Sequence, residues 1–541
     1  MRSESTTSSV NAIEINVATK GQMDSKSEEI STQENEILIT SKKKLDVVLQ
    51  FMEENEPNCP EFTPEQDKKL FWKLCRRVIV MMCAINLLLF MDKNAIGYSK
   101  LLGMWQDTHI TSAQYSNINS IYYAGYLIGQ IPGHLLFQRF GIKYYMTGAV
   151  FLWTVLMFVQ LAAKSYGDVA AIRFFLGLTE SSVTPAIEHT MSMFFTPDEQ
   201  AYINPIFWIS TVGVGIPTGF LSYGVLHYKG SLHPWKLYWI INGALTAVLV
   251  VWIFLDYPSN PISYKAFTIE ERVQIIRRIK QKSRSSVEDR TFKKSQLFEA
   301  LKDPLSYLFA FFAFFSMLAN NMNFQQQIIY TSLGVSRLNT NLVTVAQAGY
   351  STVVFCIGTF FMTKWKDSLA YLSVIYNIPA IVGGILAVSL PWSNKVGILA
   401  GCIIVHSDGF GYICGLCWSQ SSAAGYTKKL VRTTMFMIAY GVANIVAPQL
   451  WVTGGNRYYH AWIVQIVLAW VGSSAILLTI RYILAKRNKE RKEHLVFDEK
   501  GNVVSSAVAY IDGDDEEGKR KVDISMLDLT DLQNKEFIYP L

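Results

Sequence analysis

Residues 171–200 read AIRFFLGLTESSVTPAIEHTMSMFFTPDEQ, a run apolar enough to cross a bilayer that nevertheless carries Arg173 and Glu180 in its first ten positions. About 20 predominantly apolar residues, coiled as a helix, match the hydrocarbon thickness of a membrane. A charge within such a helix is costly in lipid, so it must face other protein or a water-filled cavity. Arg173 and Glu180 are seven residues apart, about two helical turns, and project from nearly the same face. Gly177 between them permits close approach of a second helix, and Pro185 bends the segment further on. One face of this helix is therefore turned into a bundle of other helices.

Outward from this stretch the pattern repeats. The chain of 541 residues is 50% hydrophobic and only 17% charged, against about 25% charged in soluble domains. Windows of membrane length predict about twelve spans: 78–98, 116–137, 144–163, 169–190, 203–227 and 237–256, then 304–330, 340–363, 368–390, 395–418, 432–451 and 460–485. The expected organisation is a polar N-terminal tail (1–75), a six-helix half (76–256), a central loop (257–303), a second six-helix half (304–486) and a C-terminal tail (487–541). Within the central loop, IEERVQIIRRIKQK is amphipathic and lies along the membrane surface or under the bundle. Basic residues gather in this loop and in the short connections with Arg139, Lys143, Lys364, Lys366, Lys428, Lys429 and Arg432, which predicts that both tails are cytoplasmic. No cleavable signal peptide is read in the polar start, so the first span serves as the targeting signal.

The net charge of +6 is spread over short loops and forms no single face, which excludes a nucleic-acid binder. Cys414 and Cys417 form a lone C-x-x-C inside an apolar run, where thiols behave as small hydrophobes, so no metal site is expected. The chain has no H-x-x-x-x-D pattern, no nucleotide loop and no clustered metal ligands, which argues against a membrane enzyme. What remains is an all-α membrane protein that carries a small polar solute through the bilayer.

The candidate residues are the polar ones that lipid cannot host. Arg173 suits a solute carboxylate, because guanidinium and carboxylate pair through two parallel hydrogen bonds. Glu180 then takes and releases a coupling proton, since a carboxyl group held away from water can exist neutral. The competing reading is a static ion pair between helices. Asp92, beside Lys93 in the first span, is either a second coupling group or a structural residue, paired locally or with Arg173, and Lys93 can snorkel to the headgroups. The seventh span carries Asn320, Asn321, Asn323 and Gln326, uncharged donors and acceptors that line a cavity for a zwitterion or glue helices together. Glu188, His406 and Asp408 are candidate specificity residues, with His406 and Asp408 in an irregular helix near Gly409 and Gly411; Asn444 is expected to pack against another helix.

The pattern R-x-x-x-G-x-x-E-x-x-x-x-P at Arg173, Gly177, Glu180 and Pro185 resembles the anion:cation symporter branch of the major facilitators. FMDK (90–93), RFFLGLTES (173–181), P-x-G-F-x-x-Y-G-V (217–225) and SSAAGYTKKLVR (421–432) make the chain similar to the fungal allantoate permease family. The tail motifs FMEENE (51–56), TPEQDKKL (63–70) and DLTDLQNKEFIYPL (528–541) extend that resemblance. Within the family, LANNMNFQQQ (318–327), SSVEDRTFKKSQ (285–296) and PWSNKVGILA (391–400) look most like its cysteine-transporting members. The resemblance implies a major facilitator fold and proton-coupled uptake of a carboxylate-bearing solute at a fungal plasma membrane. Cysteine leads; allantoate, pantothenate, nicotinate or a sulfonate are the alternatives, and an internal membrane is the alternative location. The proton is the coupling ion and no other cofactor is implied. The loop GHLLFQRFGIKYY departs from the usual facilitator pattern, with Phe137 at an acidic place. A second class of function is a nutrient sensor signalling through its tails. There Lys20, Lys26 and Lys42, Lys43 and Lys44 are candidate modification sites, and ubiquitin ligases or trafficking adaptors candidate partners.

Overall fold

The structure is a computed structural model that describes residues 12–13, 37–38, 51–52, 54–282, 293–365, 367–452, 457–493, 508–512, 519–523 and 529–541. The tail lysines Lys20, Lys26 and Lys42 to Lys44 and most of the SSVEDRTFKKSQ motif lie outside these residues. Among the described residues, nine helices are long and apolar enough to cross a membrane unaided: Pro64–Leu101, Ile142–Ala162, Ile203–Leu226, Pro234–Asp256, Arg337–Lys364, Leu369–Ser389, Lys395–Ser421, Tyr426–Trp451 and Tyr459–Lys492. Three more spans complete the bundle: Ser112–Phe140, the broken pair Tyr166–Glu180 and Val183–Phe194, and the broken pair Pro304–Met317 and Met322–Ser332. In chain order these are spans 2, 4 and 7. Spans 4 and 7 are broken into segments each too short to cross alone, and span 2 is long but carries polar residues along its length.

Differences from the sequence expectation have local causes. Span 1 begins at Pro64, well before the apolar run, because Thr63 and Gln66 form a reciprocal cap: the Thr63 N–H donates to Gln66 Oε1 at 2.9 Å. Span 4 does not bend at Pro185 but breaks at Ser181 and Ser182. A proline ring clashes with the carbonyl four residues earlier, here Ser181. The freed groups are met by Gln130 of span 2, whose Nε2 donates to Ser181 O at 2.7 Å, while Ser182 Oγ donates to Gln130 O at 3.3 Å. Two short strand pairs, Ala12–Ile13 with Ile37–Leu38 and Val508–Asp512 with Lys519–Asp523, add minor β structure to an otherwise helical chain.

Spans 2 and 4 meet backbone to backbone. A Cβ on Gly177 would lie 1.9 Å from Tyr122 O, and one on Gly125 would lie 2.1 Å from Phe174 O. Gly129 and Gly133 continue the seam along span 2, against Leu178 and Ser182. Small residues at four-residue spacing let helices approach this closely.

Pro64, Phe140 and Lys492 mark the tail side of the bundle, and Leu101, Ser112 and Trp451 the far side. On the far side the two halves of the chain pack tightly. Ser120 Oγ donates to Ile445 O at 2.8 Å, Gln449 Nε2 donates to Asn117 and Ser120, and Gly215 and Gly219 of span 5 lie against span 8. On the tail side, Ile269–Lys282 packs under the bundle, burying Ile275 and Ile279 in the main core and Val273 and Ile276 against Met52. Arg278 there bridges Asp67 and Glu199, and Glu271 pairs with Lys73. Asp303, which caps span 7, accepts from Arg432 at 2.8 Å and pairs with Lys428 and Arg487, each at 3.3 Å. Burial pushes the Asp303 carboxyl up, but Lys428, Arg432 and Arg487 together outweigh burial and hold it below the usual carboxylate range.

Gly177→Ala is expected to destabilise the chain by about 1–3 kcal/mol through backbone overlap, whereas Gly148→Ala, which has nothing within 4 Å, is neutral; thermal unfolding in detergent separates them. A depressed carboxyl contributes stability above its unfolded pKa and loses it as pH falls through the folded value. The Asp303 contribution is therefore constant between pH 7 and 5 and is lost below about pH 4. Asp303→Asn removes about 2–4 kcal/mol at pH 7; an unfolding midpoint unchanged by that substitution would show the cluster to be inert.

Candidate functional site

Span 4 ends its first segment on Glu180, and the glycine seam sets that carboxyl against span 2. Tyr122 Oη donates to Glu180 Oε2 at 2.6 Å. Asp92 and Lys93 of span 1 lie beside the same carboxyl group. Trp153 Nε1 of span 3 donates to Asp92 Oδ2 at 3.1 Å. Glu180 Oε1 and Asp92 Oδ1 accept from no N–H or O–H donor among the described residues, and the two carboxyl groups stand within hydrogen-bond reach of each other, a contact that holds only when one of them carries a proton. Lys93 does not reach the headgroups. It sits midway along Val80–Leu101, buried, with its ammonium 4.6 Å from the Phe90 ring centre and 5.4 Å from that of Tyr126.

Arg173 lies two turns towards the far side. It is 2% exposed, its guanidinium carbon stands 5.1 Å from the Trp239 ring centre, and Nε and Nη2 have no acceptor. No ion pair within 4 Å joins Arg173 to Glu180, Asp92 or any other acid among the described residues. Two free N–H groups of a guanidinium match the geometry of a carboxylate.

A charged side chain meets a tryptophan three times at the same structural rank. Asp92 of span 1 meets Trp153 of span 3, Arg173 of span 4 meets Trp239 of span 6, and Asp408 of span 10 accepts from Trp470 Nε1 of span 12 at 2.9 Å. Each pair joins the first and third helices of a three-helix unit. The indole offers its N–H to a carboxylate and its ring face to a cation, so one residue type serves both signs.

The amides of span 7 divide. Asn320 Nδ2 donates to Asn444 Oδ1 at 2.6 Å and Asn323 Nδ2 to Asn320 Oδ1 at 3.1 Å, so these two tie spans 7 and 11 together. Both side-chain atoms of Asn321, and Oε1 of Gln326, are buried and unpartnered. Tyr123, in ring contact with Tyr122 at 5.1 Å, reaches Asn320 and so links the amides to the carboxyl pair. His406, in the 3-10 turn Val405–Ser407, has its Nδ1 within 3.0 Å of Cys402 O one turn earlier and its Nε2 buried and unpartnered, and Asp408 turns to span 12. Neither joins Arg173. Glu188 lies towards the tail side, bonded to Gln420. Sequence reasoning passed over Tyr122, Trp153 and Trp239, because aromatic residues are ordinary in membrane helices. The signal that could have found Tyr122 is the poor hydropathy of span 2.

Twelve spans around buried, partly unpaired charges define a membrane transporter of the solute-carrying class. Residues 82–448 match the Major Facilitator Superfamily, and the chain belongs to that family. It is 46% identical over 504 residues to an uncharacterised transporter of Schizosaccharomyces pombe, covering 92% of this chain and 88% of that one. It is 43% identical over 518 residues to the high affinity cysteine transporter of Saccharomyces cerevisiae, covering 94% and 97%. The allantoate permease of S. cerevisiae is 26% identical over 498 residues, covering 89% and 88%. Among solved structures, the xylose transporter of E. coli in a partially occluded inward-open conformation superposes with a TM-score of 0.58 at 9% identity, over 76% of this chain and 98% of that one. A D-xylose–proton symporter gives 0.56 at 10% identity, over 74% and 96%. These likenesses show the fold. Membership makes the chain a transporter rather than an enzyme.

Because no acid among the described residues pairs with Arg173 within 4 Å, Arg173→Met is expected to leave the solute-free unfolding midpoint unchanged or raise it by about 2–4 °C. A fall of that size would return Arg173 to a purely structural role.

Proposed function

We propose that this chain is a proton-coupled symporter that imports a small carboxylate-bearing solute, cysteine first, across a fungal plasma membrane with both tails in the cytoplasm. We place it with the fungal allantoate permeases, on the motifs at Arg173–Pro185 and in the tails. The observation that carries the reading is the buried quartet: Arg173 and Lys93 with Asp92 and Glu180, the two Arg173 donors Nε and Nη2 unpartnered and the two carboxyl groups in mutual contact. The 43% identity to a cysteine transporter supports the solute, the loop charges support the orientation, and the likeness to a proton symporter is in keeping with the coupling ion.

The mechanism follows from charge conservation in a low-dielectric site. Empty, two cations balance two anions. A solute carboxylate on Arg173 adds a negative charge that burial makes costly. A proton on the Glu180–Asp92 pair offsets it, Tyr122 and Trp153 holding the two acids in place. The two halves then rock about the loaded site, as inverted-repeat carriers do. Deprotonation on the cytoplasmic side restores the carboxylate and weakens the hold on the solute.

The same count separates two solutes. A monoanion with one proton moves no net charge. Zwitterionic cysteine with one proton moves a positive charge, so its uptake is drawn by an inside-negative potential. Another organic anion is thus the second reading, supported by the quartet's neutrality.

Cells lacking their own cysteine carrier are expected to gain saturable, acid-stimulated, uncoupler-sensitive uptake of labelled cysteine. Imposing an inside-negative potential should speed it. Surface-expressed protein that moves no cysteine would sink the solute, and potential-independent uptake of an anion would favour the second reading. Glu180→Gln should abolish acid stimulation; a retained pH profile would place the proton elsewhere. Arg173→Gln should raise KM at least about tenfold, the loss of one bidentate carboxylate pair.

A further inference from the structure

Glu188 has no part in that mechanism, yet its position is distinctive. It lies two turns beyond Glu180, on the tail-side segment Val183–Phe194 of span 4. Its Oε2 accepts a hydrogen bond from Gln420 Nε2 of span 10 at 2.8 Å. That bond passes from the first half of the chain to the second. The other groups facing Glu188 are Lys429 of span 11, Tyr126 of span 2, and Tyr412 and Cys417 of span 10. Lys429 is exposed and lies in the first turn of Tyr426–Val446, at the tail-side end of span 11. Glu180 and Asp92, by contrast, are both 0% exposed. The Glu188–Gln420 contact lies on the tail side of the buried quartet, between it and the Lys429 end of span 11.

Gln420 and Lys429 flank the turn between spans 10 and 11, where Gly425 adopts φ +84°. Residues 529–541 grip this turn from below. Trp418 Nε1 donates to Pro540 O at 2.8 Å, the Ala424 N–H donates to Asp531 Oδ1 at 3.4 Å, and Lys428 Nζ pairs with Asp531 Oδ1 at 2.9 Å. The strap is itself anchored on span 12. Arg491 Nη2 donates to Asp531 O at 2.7 Å, Asn488 Nδ2 to Tyr539 O at 2.8 Å, and the Tyr539 N–H returns to Asn488 Oδ1 at 2.9 Å. Tyr539 Oη donates to Asp531 Oδ2 at 2.8 Å, which fixes the carboxylate that holds Lys428. Adjacent lysines of span 11 thus divide the work: Lys428 is locked to the strap, and Lys429 faces Glu188.

We propose that Glu188 and Gln420 form a gate across the tail-side route to the buried site, with Lys429 at its mouth, and that residues 529–541 hold the second-half face of that gate in register. Glu188 is a positioning residue here. The gate rests on the transporter reading, but its test needs no solute.

Cys417 sits beside Glu188 and Asn204 and reports the opening. The full chain in native membranes is treated with N-ethylmaleimide, and Cys417 alkylation is followed by peptide mass spectrometry. Glu188→Ala and Gln420→Ala are expected to speed alkylation about three- to tenfold, the factor a lost hydrogen bond supports. Glu188→Gln, which keeps an acceptor, stays near the wild-type rate. Asp531→Ala speeds alkylation, and Glu188→Ala with Asp531→Ala is no faster than Glu188→Ala alone. Should Asp531→Ala fail to accumulate, Trp418→Phe removes one strap bond and keeps the ring. An unchanged rate in Glu188→Ala overturns the gate, and additive rates in the double variant overturn the strap's control of it. Wild-type protein that takes up no cysteine but shows this alkylation pattern would lose its assigned solute and keep its gate.

Discussion

The seam between spans 2 and 4 determines where everything else can sit. At Gly125, Gly129, Gly133 and Gly177 there is no room for a side chain, so two helical backbones touch. That contact sets the distance from Tyr122 to Glu180, and with it the placement of the carboxyl against Asp92 and Lys93. A looser crossing would let lipid chains or water into the gap. The same seam also explains how span 4 can be broken without failing: Gln130, one residue past Gly129, satisfies the backbone and the hydroxyl at the break. Close packing and backbone irregularity are here two sides of one arrangement, since non-helical backbone is tolerated at membrane depth only inside protein.

The charges are kept in the membrane by aromatic residues rather than by ion pairs. Trp153 and Trp470 donate to carboxylates and Trp239 faces a guanidinium, while Phe90 and Tyr126 flank Lys93. A tight salt bridge would neutralise the site but also occupy it. Indole and phenol partners lower the cost of burial and leave N–H groups free. The tail-side clusters do the opposite. Asp303 with Lys428, Arg432 and Arg487, and Arg278 with Glu199 and Asp67, are saturated pairings that brace the ends of the helices.

Much of this was legible in the sequence, for reasons that also mark its limits. Apolar runs located the spans within a few residues, except where a capping box lengthened span 1 or a proline broke span 4 upstream of itself. Arg173, Glu180 and Asp92 stood out because ionisable groups are rare at membrane depth. Their partners did not, since Tyr122, Trp153 and Trp239 look like any other membrane aromatics until the helices are packed. The amides of span 7 were visible as a cluster, but only the fold separates Asn320 and Asn323, which join helices, from Asn321 and Gln326, which are free. Lys429 was hidden among loop bases because Lys428 beside it really is one half of a structural pair.

The strap has a consequence for biogenesis. Residues 529–541 are synthesised after every span has been made, yet Asp531 is one of three acids around the fully buried Lys428. Until that carboxylate arrives, the inserted bundle carries an incompletely compensated cation and an exposed Trp418 N–H at the foot of spans 10 and 11. A segment made after the spans thus completes the charge balance around Lys428. A chain cut short before it would present cellular quality control with a membrane protein whose helices are all in place and whose foundation is not.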